Sequence, residues 1–220
     1  MRLTSLTLMM IASWSLAFAP GLAADPQEAK PNVEKLMNPA QLNETAPDKF
    51  QAIFDTSKGE FIVDVTRAWS PNGADRFYNL VKNGYYNNCR FFRVVKNFMV
   101  QFGISGDPKL NAAWNTATIR DDHSSKQSNA RGYVTYAKSS APNSRTTQIF
   151  INFADNSFLD SQGFTPFGKI SKGMDVVDAI NAEYGENPNQ ALIQSQGNAY
   201  LEKSFPKLDY VKTATIAPAK

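Results

Sequence analysis

Histidine and cysteine are almost missing from this chain of 220 residues, which has one of each, His123 and Cys89. One histidine cannot build a zinc site of several imidazoles or a catalytic triad that uses a second one. One cysteine cannot close an internal disulfide. We therefore predict a function without thiol or metal chemistry, and we expect Cys89 to pack as a small hydrophobic residue.

A strong excess of charge is missing too. The 23 Lys and Arg residues are nearly balanced by 20 Asp and Glu residues, and the basic ones are scattered along the chain. Nucleic-acid-binding domains usually carry clustered basic residues, so we expect no nucleic-acid partner. With 42% hydrophobic residues the chain can bury the core of one domain.

The N-terminus has the pattern of a secretory signal peptide. Arg2 precedes an uncharged, largely apolar run over residues 3–19, which Pro20 and Gly21 interrupt. The run is shorter than the roughly 20 residues of a membrane-spanning helix, and no basic stop-transfer cluster follows it. We therefore predict that residues 1–24 are removed, and that the protein is periplasmic or secreted and makes no membrane contact after cleavage.

Residues 25–47 are polar and contain four prolines, which prevent long helices or strands. We interpret this segment as a leader or linker, with one helical turn near residues 39–43. Signals for regular structure begin after it, so the predicted domain covers residues 48–218.

Short strands dominate the predicted elements. Alternating apolar residues predict a hairpin over residues 50–54 and 61–65, and strand signals recur at 91–103, 132–137, 148–152, 167–170 and 208–216. Helices are predicted from Pro71 to a stop at Asn83-Gly84, and over residues 173–182. Residues 105–131 are expected to form a long loop. This pattern favours a closed antiparallel barrel over a parallel sheet.

Three sequence blocks stand out in the predicted domain. They are FFRVVKNFMVQ (residues 91–101), GYVTYA with PNSRTTQIFI (132–137 and 142–151), and FLD with FGKI (158–160 and 167–170). In order and spacing these blocks resemble the cyclophilin-type peptidyl-prolyl cis-trans isomerases, and with the signal peptide the exported bacterial type. The resemblance implies a mainly-β fold: a closed antiparallel eight-stranded β-barrel capped by two α-helices.

The reaction of that family suits a chain poor in histidine and cysteine. Rotation about an Xaa-Pro bond needs no nucleophile, metal or net proton transfer, and its barrier of about 18–20 kcal/mol comes from amide resonance. In the twisted amide the prolyl nitrogen gains a basic lone pair. A fixed guanidinium aimed at that nitrogen binds the transition state more tightly than the planar ground state. Arg93 is the candidate donor.

The resemblance assigns the remaining site residues and implies no cofactor. Arg93 and Gln101 are the predicted catalytic residues, and the predicted substrate-binding residues are Phe98, Met99, Ala137, Lys138, Gln148, Phe150, Phe158, Leu159 and Phe164. Taken singly, the apolar members would be ordinary core residues, and only their joint placement around Arg93 favours a proline pocket. Phe158 stands where many eukaryotic members carry Trp, which implies weak cyclosporin binding.

The predicted function is isomerisation of Xaa-Pro bonds in proline-containing polypeptide segments, assisting the folding of exported proteins, by a monomer. The alternative is a cyclophilin-like module or chaperone that binds proline segments with little or no turnover. The longer and bulkier loop after Gln101, residues 102–107, keeps that alternative open.

Two acidic features receive no catalytic role. The run Asp121-Asp122-His123 is expected to be a solvated loop, because three adjacent residues cannot all face one metal ion. Glu183 and Glu186 are likewise expected to lie in a loop without chemistry.

Overall fold

Eight antiparallel strands form one curled sheet in the computed structural model, which describes residues 31–123 and 127–218. The strands are β1 (Lys49–Thr56), β2 (Gly59–Thr66), β3 (Arg93–Val95), β4 (Met99–Phe102), β5 (Tyr133–Tyr136), β6 (Ile149–Asn152), β7 (Pro166–Lys172) and β8 (Val211–Pro218). Their order across the sheet is β3-β4-β6-β5-β7-β2-β1-β8. The mainly-β class and the eight antiparallel strands are confirmed.

Helices are more numerous than the sequence predicts. They are α1 (Val33–Leu36), α2 (Pro71–Lys82), α3 (Pro108–Trp114), α4 (Met174–Asp178), α5 (Gln190–Gln196) and α6 (Asn198–Ser204), with short 3-10 helices at Pro39–Gln41, Arg67–Trp69 and Ser157–Gln162. The prediction of two capping helices is therefore wrong, although both predicted helices exist as α2 and the shorter α4.

The β1–β2 hairpin is confirmed, and its alternation shows why it forms. Phe50 and Phe54 on β1 and Phe61 on β2 point to the core and are at most 1% exposed, while the alternate residues Gln51 and Ile53 face the other side and are partly exposed. The rings of Phe54 and Phe61 stack at 4.9 Å. Helix α2 covers this face through Phe77, whose ring lies 6.1 Å from that of Phe54.

The sheet is open, so the predicted closed barrel is wrong. Strands β3 and β8 lie at opposite ends of the strand order. The segment just before β3 meets the start of β8, through an isolated bridge between Arg90 and Tyr210 and a hydrogen bond from Val211 N to Cys89 O at 2.9 Å, but β3 itself is not paired with β8. The backbone N–H of Val94 on β3 donates instead to Gly185 O at 3.0 Å, so a loop occupies the position that a closing strand would need.

Part of the predicted leader packs against the domain. The predicted signal peptide and residues 25–30 lie outside the described residues, but Leu36 and Leu42 are 0% and 6% exposed. Trp114 Nε1 donates to Leu36 O at 2.8 Å, and Ala46 N donates to Asp75 Oδ1 at 2.8 Å. Residues 31–47 are thus strapped onto α2 and α3 by buried side chains and hydrogen bonds.

The predicted loop over residues 105–131 contains α3. Its start carries a recognisable signal, because Asp107 caps the helix by accepting from Lys109 N at 2.8 Å and Pro108 occupies the first turn. Leu110 and Trp114 are the buried residues of the short apolar face. Two turns of helix are too few for the periodicity to stand out in a polar region.

Cys89 is completely buried, as predicted, and its Sγ lies 3.6 Å from Tyr85 O. Burial raises the pKa of this thiol to about 12, so it stays a neutral packing group.

Within the described ranges, no helix combines the length and apolar character needed to cross a membrane.

Candidate functional site

The register of three neighbouring strands brings the predicted catalytic pair together. Arg93 on β3 lies opposite Gln101 on β4, and Gln101 lies opposite Phe150 on β6. Directly paired residues point to the same face of a sheet. Arg93, Gln101 and Phe150 therefore form one row across the outer face, on the side away from the main core.

A tight hairpin fixes this register. Residues 96–98 connect β3 to β4, Phe98 N donates to Val95 O at 3.0 Å, and Asn97 adopts a left-handed conformation with φ 61°. Asparagine tolerates that conformation better than most residues. With Asn97 at the centre of the turn, the eight-residue separation of Arg93 and Gln101 places them directly opposite each other.

The side chains of β4 contribute to two surfaces, because successive side chains of a strand point to opposite faces of the sheet. Val100 and Phe102 belong to the main core. Met99 belongs to a separate apolar cluster with Phe150 and Leu159, and these three side chains are 2%, 5% and 6% exposed. This cluster forms the floor of a groove of about 440 Å³ on the outer face.

Arg93 and two glutamines form a directional chain of hydrogen bonds along the groove. Arg93 Nη1 donates to Gln101 Oε1 at 3.1 Å, and Gln101 Nε2 donates to Gln148 Oε1 at 2.9 Å. A guanidinium has only donors, so Gln101 must turn its oxygen towards Arg93 and its amide nitrogen towards Gln148. No described residue accepts a hydrogen bond from Gln148 Nε2, which can therefore donate into the groove.

The structure brings nearly all the predicted site residues to this one groove. Its lining includes Arg93, Phe98, Met99, Gln101, Ala137, Lys138, Gln148, Phe150, Leu159 and Phe164. Phe158 does not line it but lies at the rim, 57% exposed, with its ring stacked 6.1 Å from that of Phe98. The roles of these residues remain predictions.

Sequence reasoning missed several residues of the site. Ser139, Ser144, Thr146 and Gln190 also line the groove. Glu186 forms a salt bridge with Arg93. Ser144 and Thr146 lie within the second sequence block and Ser139 lies between its two parts, so their neighbourhood could have been inferred. Gln190 and Glu186 carry no local signal, because only the tertiary fold brings residues 183–190 to β3.

The altered loop after Gln101 leaves the groove free. Phe102 and Ile104 are 0% and 2% exposed and pack inwards. Gly103 has a positive φ of 102°, and a Cβ there would lie 2.6 Å from Thr147 O. None of the described residues 102–107 lines the groove. The large side chains of this loop therefore pack into the interior and not into the groove.

A buried ion pair supports the far wall of the groove. Arg145 Nη2 lies 3.0 Å from Asp122 Oδ2, and the two side chains are 3% and 7% exposed. Arg145 also donates to the Arg120 carbonyl. Because Arg145 is anchored on the inner side, its neighbours Ser144 and Thr146 are presented to the groove.

The same carboxylate caps helix α2, so the prediction of a solvated loop at Asp122 is wrong. It accepts from Ser70 Oγ at 2.6 Å and from Gly73 N at 3.0 Å. Burial by itself raises the pKa of Asp122, but the hydrogen bonds from Ser70 and Gly73 and the charge of Arg145 outweigh it and lower that pKa below its usual value. The ionised carboxylate is thus a structural group.

Among the described residues, no three His, Cys, Asp or Glu side chains are grouped so that they could hold a metal ion. The groove instead offers two cations, Arg93 and Lys138, three side-chain amides, hydroxyl groups and an apolar floor. Such a set can bind an extended peptide by donating hydrogen bonds to its backbone and by accepting an apolar ring on the floor. It supplies neither a nucleophile nor a general base.

Comparison with protein families gives one match that covers most of this architecture. Residues 52–197 match the sequence model of the family described as cyclophilin type peptidyl-prolyl cis-trans isomerase/CLD. That range contains the groove-lining residues from Arg93 to Gln190.

Similar proteins carry the same description. A peptidyl-prolyl cis-trans isomerase of Acinetobacter baylyi is 37% identical over 142 residues, covering 61% of this chain and 75% of the relative. Peptidyl-prolyl cis-trans isomerase B of Escherichia coli is 32% identical over 165 residues, covering 72% of this chain and 93% of the relative. The fold is similar to that of a Cryptosporidium parvum cyclophilin-type isomerase, with a TM-score of 0.58 and 18% identity. The match covers 78% of this chain and 99% of the Cryptosporidium parvum chain.

Replacing the buried carboxylate tests its structural role. Asp122→Asn should lower the free energy of unfolding at pH 7 by about 3 kcal/mol, because it leaves Arg145 without its closest charge partner. Asp178→Asn is the matched control, since its partner Arg131 and Asp178 itself are 49% and 42% exposed, and it should cost less than about 1 kcal/mol. Urea titrations measure both values.

The sign of the pH dependence follows from the lowered pKa. The contribution of ionised Asp122 is complete above the unfolded carboxyl pKa of about 3.9 and is lost as the pH falls through the lower pKa of the folded protein. The stability gap between wild type and Asp122→Asn should therefore shrink in strong acid. A gap that is unchanged between pH 7 and pH 2 would contradict this assignment.

Proposed function

Because the chain belongs to the cyclophilin-type peptidyl-prolyl cis-trans isomerase family, we propose that its groove catalyses Xaa-Pro rotation in exported polypeptides that have not yet folded. The observation that carries this proposal is the row formed by Arg93, Gln101 and Phe150, which sets a fixed cation beside an apolar floor.

The apolar floor receives the proline ring. Met99, Phe150 and Leu159 are packed against one another and present a surface with little polar character. Amide resonance separates charge in the planar ground state and is lost in the twisted state. An environment poor in water therefore favours the twisted amide relative to the planar one.

Arg93 supplies the interaction that strengthens as the bond rotates. Its guanidinium is held by Gln101 at Nη1 and by Glu186 at Nε and Nη2. The second N–H of Nη1 or of Nη2 is directed to the prolyl nitrogen. That nitrogen accepts a hydrogen bond only when it becomes pyramidal, so the contact is made in the transition state and not in the ground state.

The walls of the groove hold the rest of the peptide. Gln148 Nε2 donates to a substrate carbonyl, since the other end of that side chain is occupied by Gln101. The main chain of Ala137 and Lys138 binds the residues before proline through Ala137 O and Lys138 N, because Ala137 N already donates to Gln148 O at 2.9 Å.

The structure gives a reason to prefer an enzyme over a binding module. The loop after Gln101 motivated the binding alternative, yet its large side chains are buried. The Arg93 donor lies beside the apolar floor. An apolar floor without such a donor would be enough for simple recognition of a proline segment.

Removing the donor tests catalysis. Arg93→Ala should lower kcat/KM on a short Xaa-Pro peptide by about 100-fold or more, the usual effect of deleting one donor aimed at developing charge. Arg131→Ala is the control, because Arg131 is exposed and pairs with Asp178 away from the groove. Exchange spectroscopy or a coupled peptide assay measures the rates. An Arg93→Ala protein as active as wild type would remove Arg93 from the mechanism, and a wild type no faster than buffer would leave only binding.

Export rests on the N-terminal pattern alone. Mass spectrometry of the protein recovered from a bacterial periplasm should show a mature N-terminus near Ala24 or Asp25. Recovery of the chain with Met1 intact, in the cytoplasm, would contradict export while leaving the isomerase proposal in place.

Weak cyclosporin binding rests on Phe158, which lies exposed at the rim and stacks on Phe98. Phe158→Trp should tighten cyclosporin binding by about fivefold or more, because the indole N–H adds one hydrogen bond worth about 1 kcal/mol. Phe158→Tyr keeps a six-membered ring without the indole donor and serves as the control. Inhibition curves compare the variants, and equal affinity of the Trp and Tyr proteins would rule out this role for Phe158.

A further inference from the structure

Arg93 has a second polar partner, which comes from a distant part of the chain. Its Nε donates to Glu186 Oε1 at 2.6 Å, and Nη2 contacts the same oxygen. Gln101 holds the opposite side of the guanidinium through Nη1 at 3.1 Å. The guanidinium carbon also lies 6.0 Å from the centre of the Phe98 ring. Three side chains thus fix the direction of one cation.

The segment that carries Glu186 is itself fixed. Gly185 O accepts the backbone N–H of Val94 on β3 at 3.0 Å, so the loop is tied to the residue next to Arg93. Within the loop, Asn187 N donates to Tyr184 O at 2.9 Å. The Tyr184 ring packs edge-on against Phe205 at 5.1 Å. A carboxylate on such a loop can hold its partner in place.

The position of Glu186 indicates that it holds Arg93 in place and does not compete with substrate for it. Gln190 from the same part of the chain lines the groove, whereas Glu186 is not among the described lining residues. The carboxylate therefore contacts the guanidinium from outside the groove and leaves the inner face for substrate. An acid that competed with substrate would occupy the groove itself.

We propose that Glu186 is a positioning residue for the isomerase reaction: it orients the Arg93 guanidinium towards the prolyl nitrogen from behind. This inference rests on the proposed function of Arg93. An arginine side chain has many rotamers, and fixing them in advance removes an entropic cost from the transition state. Since the substrate does not touch Glu186, its loss should reduce kcat and leave KM nearly unchanged.

Three variants test the proposal. Glu186→Ala should lower kcat about two- to fivefold, the range expected for one partly exposed ion pair. Glu186→Gln keeps an oxygen that accepts from Nε and should recover part of that loss. Glu183→Ala is the matched control, because Glu183 lies in the same loop but pairs with Lys207 at 3.1 Å, and it should leave kcat unchanged.

A second readout does not depend on turnover. In nitrogen-15 NMR, the Arg93 Nε–Hε signal should show a rigid side chain in wild type and in Glu183→Ala, and a mobile one in Glu186→Ala. If wild type isomerises no peptide, the proposed function fails, but these relaxation data still decide whether Glu186 holds Arg93. The positioning role is overturned by an unchanged Arg93 signal, by a Glu186→Ala protein as fast as wild type or faster, or by a Glu186→Gln protein no better than Glu186→Ala.

Discussion

The site depends on the register between β3, β4 and β6. A shift of one residue would turn every side chain of a strand to the opposite face. Arg93 and Gln101 would then point into the core, and Val94 and Val100 would face the groove. The hairpin at Asn97 sets the register on one side, and the pairing of Gln101 with Phe150 sets it on the other. The buried neighbours Val100 and Phe102 make a slip costly.

In this register, the groove places the Arg93 cation beside an apolar floor. A guanidinium alone on a strand would be mobile and well solvated, and an apolar cluster alone would only bind. Their combination requires Arg93 to be held at the edge of the sheet without being buried. The loop containing Glu186 meets that requirement, and by pairing with β3 it also leaves the sheet open.

The sequence predicted the features that depend on short stretches of chain. The β1–β2 hairpin and helix α2 follow from local periodicity and turn residues. Arg93 and Gln101 were assigned from the resemblance of a short sequence block to a known family. Helix α3, the ion pair of Arg145 with Asp122 and the contact of Glu186 with Arg93 were missed. The two ion pairs join residues 23 and 93 positions apart, and no local pattern specifies such partners. The open sheet was missed because one loop, and not a strand, pairs with β3.

The pairing of β1 with β8 determines when the core can be completed. Ala52 in the first strand lies opposite Ile216 near the end of the last. A chain that emerges from its N-terminus can form the β1–β2 hairpin early, but one edge of that hairpin stays uncovered until the final strand arrives. Contacts this far apart in sequence make folding slow and leave hydrophobic surface exposed meanwhile. A protein proposed to assist the folding of others therefore has its own late and vulnerable step.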